Sequence, residues 1–96
     1  MTTSGELVEG DEGDAPDGGR AQAVLSYLAH QIVDDHDAIQ IETSPARQGI
    51  KLSLHVGAED MGKVIGRRGR VAQSIRAVVR AAGAKDGVDV LVDIVD

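Results

Sequence analysis

From Ala21 onward the apolar positions Ala21, Val24, Leu25, Leu28 and Ile32 recur at intervals of three and four. That spacing aligns side chains in one stripe along an α-helix, here expected to end near Asp34 or Asp35. The period then drops to two. Ile39, Ile41 and Thr43 alternate with Gln40 and Glu42, and Ile50, Leu52, Leu54 and Val56 alternate with Lys51, Ser53 and His55. Two half-buried strands follow from this alternation. The stretch from Ser44 to Gly49, containing Pro45 and Gly49, has the turn chemistry of a hairpin connection, so the strands are expected to be antiparallel neighbours.

A helical period returns with Ala58, Met61, Val64 and Ile65, and Glu59 and Asp60 fall in the first turn, where carboxylates suit exposed N–H groups. After Gly66–Gly69 a second helix carries Val71, Ile75, Val78, Val79 and Ala82 on one side. Gln73, Arg76 and Arg80 fall opposite, as a solvated face, and Arg70 stands on the flank. Gly83 reads as the helix stop, and Gly87 precedes a last strand with Val88, Val90, Val92 and Ile94 on one face. The expected order is α-β-β-α-α-β. A helical crossover between the second and third strands suits parallel pairing, giving an α+β fold: a three-stranded mixed sheet covered on one face by three helices. Leu91 and Val95 would then lie on the uncovered face, either as a partner surface or as scattered apolar residues of an ordinary kind. Tyr27, the only aromatic residue, lies off the centre of its stripe and suits a core edge or an interface.

The length of 96 residues supports one small domain. The absence of Cys excludes disulfide scaffolds, Cys-ligated zinc and thiol nucleophiles. No run approaches the roughly 20 apolar residues of a membrane span, and the acidic start is unlike a signal peptide. A soluble cytoplasmic protein with no membrane partner is therefore expected. The formal net charge of -6 argues against a polyanionic partner only until its distribution is considered. Residues 1–20 hold six acids and one base, whereas residues 21–96 hold ten acids and nine bases. Residues 63–80 hold six bases, Lys63, Arg67, Arg68, Arg70, Arg76 and Arg80, and no acid. Residues 1–19, rich in Gly, Asp and Glu, are expected to form a disordered acidic tail, and residues 20–96 the domain. Such a tail serves solubility or competes with nucleic acid for the basic segment.

That basic segment contains Val64-Ile65-Gly66-Arg67-Arg68-Gly69-Arg70. A glycine at the end of one helix can take φ > 0 and turn the chain, and a glycine at the mouth of the next lets a second backbone approach. The N-terminus of the following helix offers unpaired N–H groups and the positive end of its dipole, a setting for phosphate. Arg67 and Arg68 add bidentate cationic forks. Val64 and Ile65 could border a shallow groove walled by the second strand. The scarcity of aromatic residues disfavours a stacking platform. The expected nucleic-acid-binding set is Lys63, Val64, Ile65, Gly66, Arg67, Arg68, Gly69 and Arg70.

Competing motifs are weaker. Gly57–Val64 approaches a phosphate-binding GxxxxGK[ST] loop, but Val64 stands where the magnesium-holding hydroxyl belongs. His30, Asp34, Asp35, His36 and Asp37 lack a standard metal spacing and read as a charged helix end. His55 has no nucleophile or acid partner in the sequence pattern. A helix-turn-helix reading would place Gln73, Arg76 and Arg80 on duplex DNA, but the strand pattern and the glycine pair disfavour it. A separate class remains: a dimeric protein-interaction scaffold whose basic loop is incidental.

The V-I-G-x-x-G run, with Val71 and Ile75 following and the α-β-β-α-α-β order around it, resembles a type II KH domain. The single unit and the closing Val90-Leu91-Val92-Asp93-Ile94-Val95 are similar to the small bacterial KhpA-like family, over about residues 20–96. This resemblance implies non-catalytic binding of about four nucleotides of single-stranded RNA, with the backbone clamped at Gly66, Arg67, Arg68 and Gly69. It also implies RNA-chaperone or post-transcriptional activity, no cofactor or metal, and pairing as a homodimer or with a second KH protein, KhpB.

Overall fold

A computed structural model of the chain describes residues 18–95. The expected acidic tail lies outside the described residues except for Gly18 and Gly19. Helix α1 spans Gly19–Ile32, strand β1 Gln40–Pro45 and strand β2 Ile50–His55. Helix α2 spans Met61–Ile65, helix α3 Arg70–Lys85 and strand β3 Val90–Val95. Single 3₁₀ turns at His36–Ala38, Ala58–Asp60 and Arg67–Gly69 join them.

The sheet order is β1-β2-β3, with β1 and β2 antiparallel and β2 and β3 parallel. Ile41 faces Leu54 and Thr43 faces Leu52 across the hairpin, while Leu52 pairs with Val92 across the parallel seam. This register puts Leu52, Leu54, Val90 and Val92 on one side of the sheet, where all four are buried. Ala21, Leu25 and Ala29 of α1 and Val33 just past its end meet them, as do Ile75 and Val79 from α3, in one continuous core. Each fully buried Leu or Val contributes roughly 1.5–3 kcal/mol of transfer free energy. The architecture is the α-β-β-α-α-β, three-stranded mixed sheet of a type II KH domain.

Several local expectations change. Helix α1 stops at Ile32, before the acidic pair, because Val33 turns to extended backbone and enters the core. Strand β1 continues through Pro45, which an edge strand tolerates because its missing N–H faces no partner strand. Gly83 does not end α3. It lies inside the helix, buried, and a Cβ there would stand 2.5 Å from Val90 Cγ2 and 2.8 Å from the Val88 carbonyl oxygen, so it permits close packing on β3. The turn beyond the helix falls at Gly87, with φ +72°. The buried stripe of α3 is Ala72, Ile75, Val79 and Gly83, and Val78, expected inside, is exposed. Arg76 is not purely solvated, since its Nε donates to the Val92 carbonyl 3.3 Å away on the edge strand β3. Tyr27 is exposed and closes no part of the core, and Leu91 projects from the open face of the sheet.

Candidate nucleic-acid interface

Val64 is completely buried and anchors α2 in the core. One residue later Ile65 is exposed, and at Gly66 the chain takes φ 75°, ψ 173°. That backbone region is essentially restricted to glycine. A Cβ at Gly66 would also stand 2.3 Å from Val71 Cγ2. The tight return brings the Gly69 amide to the Gly66 carbonyl at 3.1 Å, and the Arg70 amide donates to the Arg67 carbonyl. Gly69 adopts left-handed backbone with φ 72°, ψ 13°, and nothing lies within 4 Å of where its Cβ would be. The sequence roles are therefore separable: Gly66 makes the turn, and Gly69 leaves open space beside the loop.

Arg68 is the one non-glycine residue with positive φ among the described residues, at φ 58°, ψ 25°. An L-residue in this region costs roughly 1–2 kcal/mol. The loop thus holds an arginine where glycine or asparagine would fit with less strain. Arg67, Arg68 and Arg70 are all exposed, and none forms an ion pair among the described residues. Helix α3 begins with no side-chain cap and no acid in its first turn. Sixteen residues of aligned peptide dipoles consequently end in positive potential that no carboxylate of the helix's own first turn offsets, and Arg70 adds to it. The Gly69 and Arg70 amides are engaged in the turn itself, so the guanidinium groups carry more of the anion-binding capacity than the exposed helix end alone suggests.

Lys63 behaves differently from its neighbours. Its Nζ is paired with Asp34 and lies 3.4 Å from Asp60 Oδ1. Asp60 is buried and accepts the Asp35 backbone N–H at 3.0 Å, and this bond, helped by the Asp34 backbone and Lys63, holds its carboxyl below the ordinary range despite burial. The Asp34 carboxylate in turn raises the Lys63 pKa. Lys63 therefore ties α2 to the exit of α1. Sequence reasoning placed Asp60 at a helix start. Its buried anchoring role had no local signal beyond a carboxylate three residues before a lysine.

A cavity of about 520 Å³ beside this anchor is lined by Asp34, Asp35, Glu59 and Asp60 with Lys63. Four carboxylates against one ammonium make it repulsive to phosphate. A second, smaller depression of about 140 Å³ lies between α1 and α3, lined by Leu28, Ile32, Val71, Ser74, Ile75 and Val78. It starts at Val71, just past the loop, and was missed because Leu28, Ile32 and Val78 read as core. Residues of β2 line neither space. His55 sits on the open sheet face opposite Gln40, with Nε2 3.6 Å from Glu42 Oε1.

The His and Asp cluster at the exit of α1 forms packing contacts. His30 donates to the Ser26 carbonyl and His36 to the Val33 carbonyl, and their rings meet edge to face. Among the described residues no group of three or more His, Cys, Asp or Glu side chains could hold a metal, and no helix is long and apolar enough to cross a membrane.

Comparison with known proteins follows the same lines. The family model described as KhpA/KhpB, KH domain, matches residues 22–94. The RNA-binding protein KhpA of Clostridium acetobutylicum is 43% identical over 72 residues, covering 75% of this chain and 96% of that protein. That of Caldanaerobacter subterraneus is 44% identical with the same coverage. The Streptomyces coelicolor protein of the same name is 43% identical over 75 residues, 78% of this chain and 91% of its own length. No solved structure matches the chain significantly.

Proposed function

This chain belongs to the KhpA/KhpB family of KH domains, and from that premise we propose that it is a non-catalytic binder of single-stranded RNA that grips the strand at Gly66–Arg70. The single observation that carries the loop assignment is the uncapped, acid-free start of α3 under three arginines that have no ion-pair partner among the described residues. Phosphate supplies the negative charge that the described residues do not place there. Arg67, Arg68 and Arg70 make the phosphate contacts, Gly66 and Gly69 admit the backbone, and exposed Ile65 lies beside the bases. Val64 supports the loop from the core, and Lys63 positions α2 through Asp34 and Asp60. Such contacts hold about four nucleotides with little sequence discrimination, as suits RNA-chaperone or post-transcriptional activity.

One weakly binding unit gains occupancy when a second is joined to it. We assign that pairing to a second copy of this chain, seated on the apolar depression between α1 and α3, where Val78 and nearby α1 leave apolar surface exposed. A KhpB-like KH protein is the alternative occupant. Light-scattering mass of the wild type and of Val78→Asp, alone and with a KhpB-like protein, distinguishes them. A wild-type monomer at high concentration rejects the homodimer.

The test of RNA binding is a salt titration with single-stranded RNA, comparing the wild type with Arg67→Asp/Arg68→Asp and checking the fold by circular dichroism. At low salt the variant should bind at least about tenfold more weakly. Loss of two phosphate contacts should flatten the log–log salt slope by about 1.4. Equal affinity of two folded proteins rejects the loop-centred reading, and a large loss on duplex DNA alone would favour the helix-turn-helix alternative.

A further inference from the structure

Between Asp60 and Asp86 the chain carries seven bases and no acid, and the loop uses only three of them. Lys63 is engaged by Asp34 and Asp60. The other three, Arg76, Arg80 and Lys85, belong to α3 and have no acidic partner among the described residues. Where the two arginines point decides whether they are scattered surface charge or a continuation of the loop.

Gln73, Arg76 and Arg80 fall within about 60° of one another around the helix, at roughly 100° per residue. Two contacts with β3 fix the direction of the flank they share. Arg76 Nε donates to the Val92 carbonyl at 3.3 Å, and Gly83 lies against Val90. Helix and edge strand therefore run in opposite directions, and this flank faces the free edge of the sheet. Val71 and Val78 occupy the other flank, toward α1. Arg80 is exposed one turn beyond Arg76. With its Nε held, the Arg76 guanidinium keeps its terminal N–H groups for another acceptor and has little side-chain freedom left to lose on meeting one. The acids of β3 and its approach leave this strip clear. Asp93 pairs in register with Ser53, on the side of the sheet away from the helices, and Asp86, held by Arg20, follows the end of α3. Positive potential thus extends along α3 from Arg70 to Arg80, about 15 Å at 1.5 Å per residue.

We propose that the strand gripped at Gly66–Arg70 continues along this flank of α3, where Arg76 and Arg80 form a second set of phosphate contacts. The inference deepens the RNA-binding reading and rests on it. A stacked strand advances roughly 3.4 Å per nucleotide, so the strip lengthens the site by about four nucleotides beyond the four or so held at the loop. Cations on phosphate carry no base information, and the extension is therefore indifferent to sequence. It adds affinity only for strands long enough to span both sets of contacts, which makes length the property that the domain selects.

The experiment titrates the full-length wild type, Arg80→Gln, Arg80→Lys and Arg67→Asp/Arg68→Asp with oligouridylates of about four and about ten nucleotides over a range of salt. Binding is followed by backbone amide and arginine Nε–H resonances. In the wild type the short strand should shift the amides of Gly66–Ala72, and the long strand should shift the Nε–H signals of Arg76 and Arg80 as well. Arg80→Gln should weaken the long strand about two- to fivefold at low salt and lower its log–log salt slope by about 0.7, with much less effect on the short strand. Arg80→Lys, which keeps the charge, should restore that slope. Equal losses on both lengths would reveal only the general field of the charge and overturn the extension. Long-strand binding by Arg80→Gln that matches the wild type overturns it too, and loss of both lengths in Arg67→Asp/Arg68→Asp then leaves the loop reading standing. A wild type that binds neither length defeats the loop reading and the extension together.

Discussion

Replacing Gly66 and Gly69 separately by Ala should produce very different losses of stability, although the two glycines have nearly equal φ. At Gly69 (φ 72°, ψ 13°) the added Cβ meets no atom within 4 Å. Its cost is the left-handed backbone penalty of roughly 1–2 kcal/mol, less about 0.4–1 kcal/mol because Ala restricts the unfolded chain. The net expectation is a loss of about 0–1.5 kcal/mol. At Gly66 (φ 75°, ψ 173°) the backbone region is closed to Ala, which costs roughly 1–3 kcal/mol. The Cβ would also lie 2.3 Å from Val71 Cγ2 and 2.7 Å from Val71 Cβ, and relief of such overpacking costs a further 1–3 kcal/mol or so. After the same unfolded-state correction, Gly66→Ala should lose about 1–5.5 kcal/mol. Urea unfolding monitored by circular dichroism measures the difference, with equal m-values confirming that the same surface is exposed. RNA affinity should fall for Gly69→Ala in spite of its preserved fold, since the methyl group enters the open space beside the loop. Equal destabilisation by the two substitutions would refute the assignment of Gly66 as the turn and Gly69 as the open approach.

The strained arginine gives a prediction of opposite sign: Arg68→Asn should stabilise the protein by up to about 1 kcal/mol, because Asn tolerates left-handed backbone, while weakening RNA binding. A lower melting temperature would show that Arg68 is not held there in solution. Gly83→Ala should destabilise by up to about 2 kcal/mol, since crowding against Val90 and the Val88 carbonyl offsets or outweighs the roughly 1 kcal/mol helix preference of Ala; a rise in stability would place the helix farther from β3. Asp60→Asn should destabilise at neutral pH. The folded carboxyl titrates below its ordinary 3.8, so the wild-type advantage is present above that value and fades as pH falls from it toward the folded pKa. Lys63, shifted upward from 10.5, contributes fully below that value and loses its contribution only as pH rises through its folded pKa. Denaturation midpoints of wild type and Asp60→Asn should therefore converge in acid, and a gap constant with pH contradicts the anchor.

The sheet and the helix order were legible because both depend on local alternation. Leu52 and Leu54 on one face, and Ile75 with Val79 four residues apart, are placed by period alone. What escaped was set by contacts distant in sequence. Gly83 resembles a helix stop until β3 is laid against it, and only then does its missing Cβ acquire a packing role. Val78 is apolar and adjacent to the buried stripe, yet α1 does not extend far enough around α3 to cover it. Arg76 falls opposite the apolar side on a helical wheel but is long enough to reach back to the Val92 carbonyl at the edge of the sheet.

The same distinction decides which cations can serve a polyanion. In the linear sequence Lys63 opens an acid-free basic run and is equivalent to Arg67, Arg68 and Arg70. In space Asp34, twenty-nine residues earlier, folds onto it, and Asp60 closes from the other side. Recruiting the Lys63 ammonium to phosphate would leave the buried Asp60 carboxylate short of a partner, whereas recruiting the three arginines breaks no ion pair of the described fold. The proposed interface is therefore narrower than the basic run that signals it. Among the described residues, the fold neutralises the cation that holds α2 in place and pairs none of those carried by the glycine-bracketed turn.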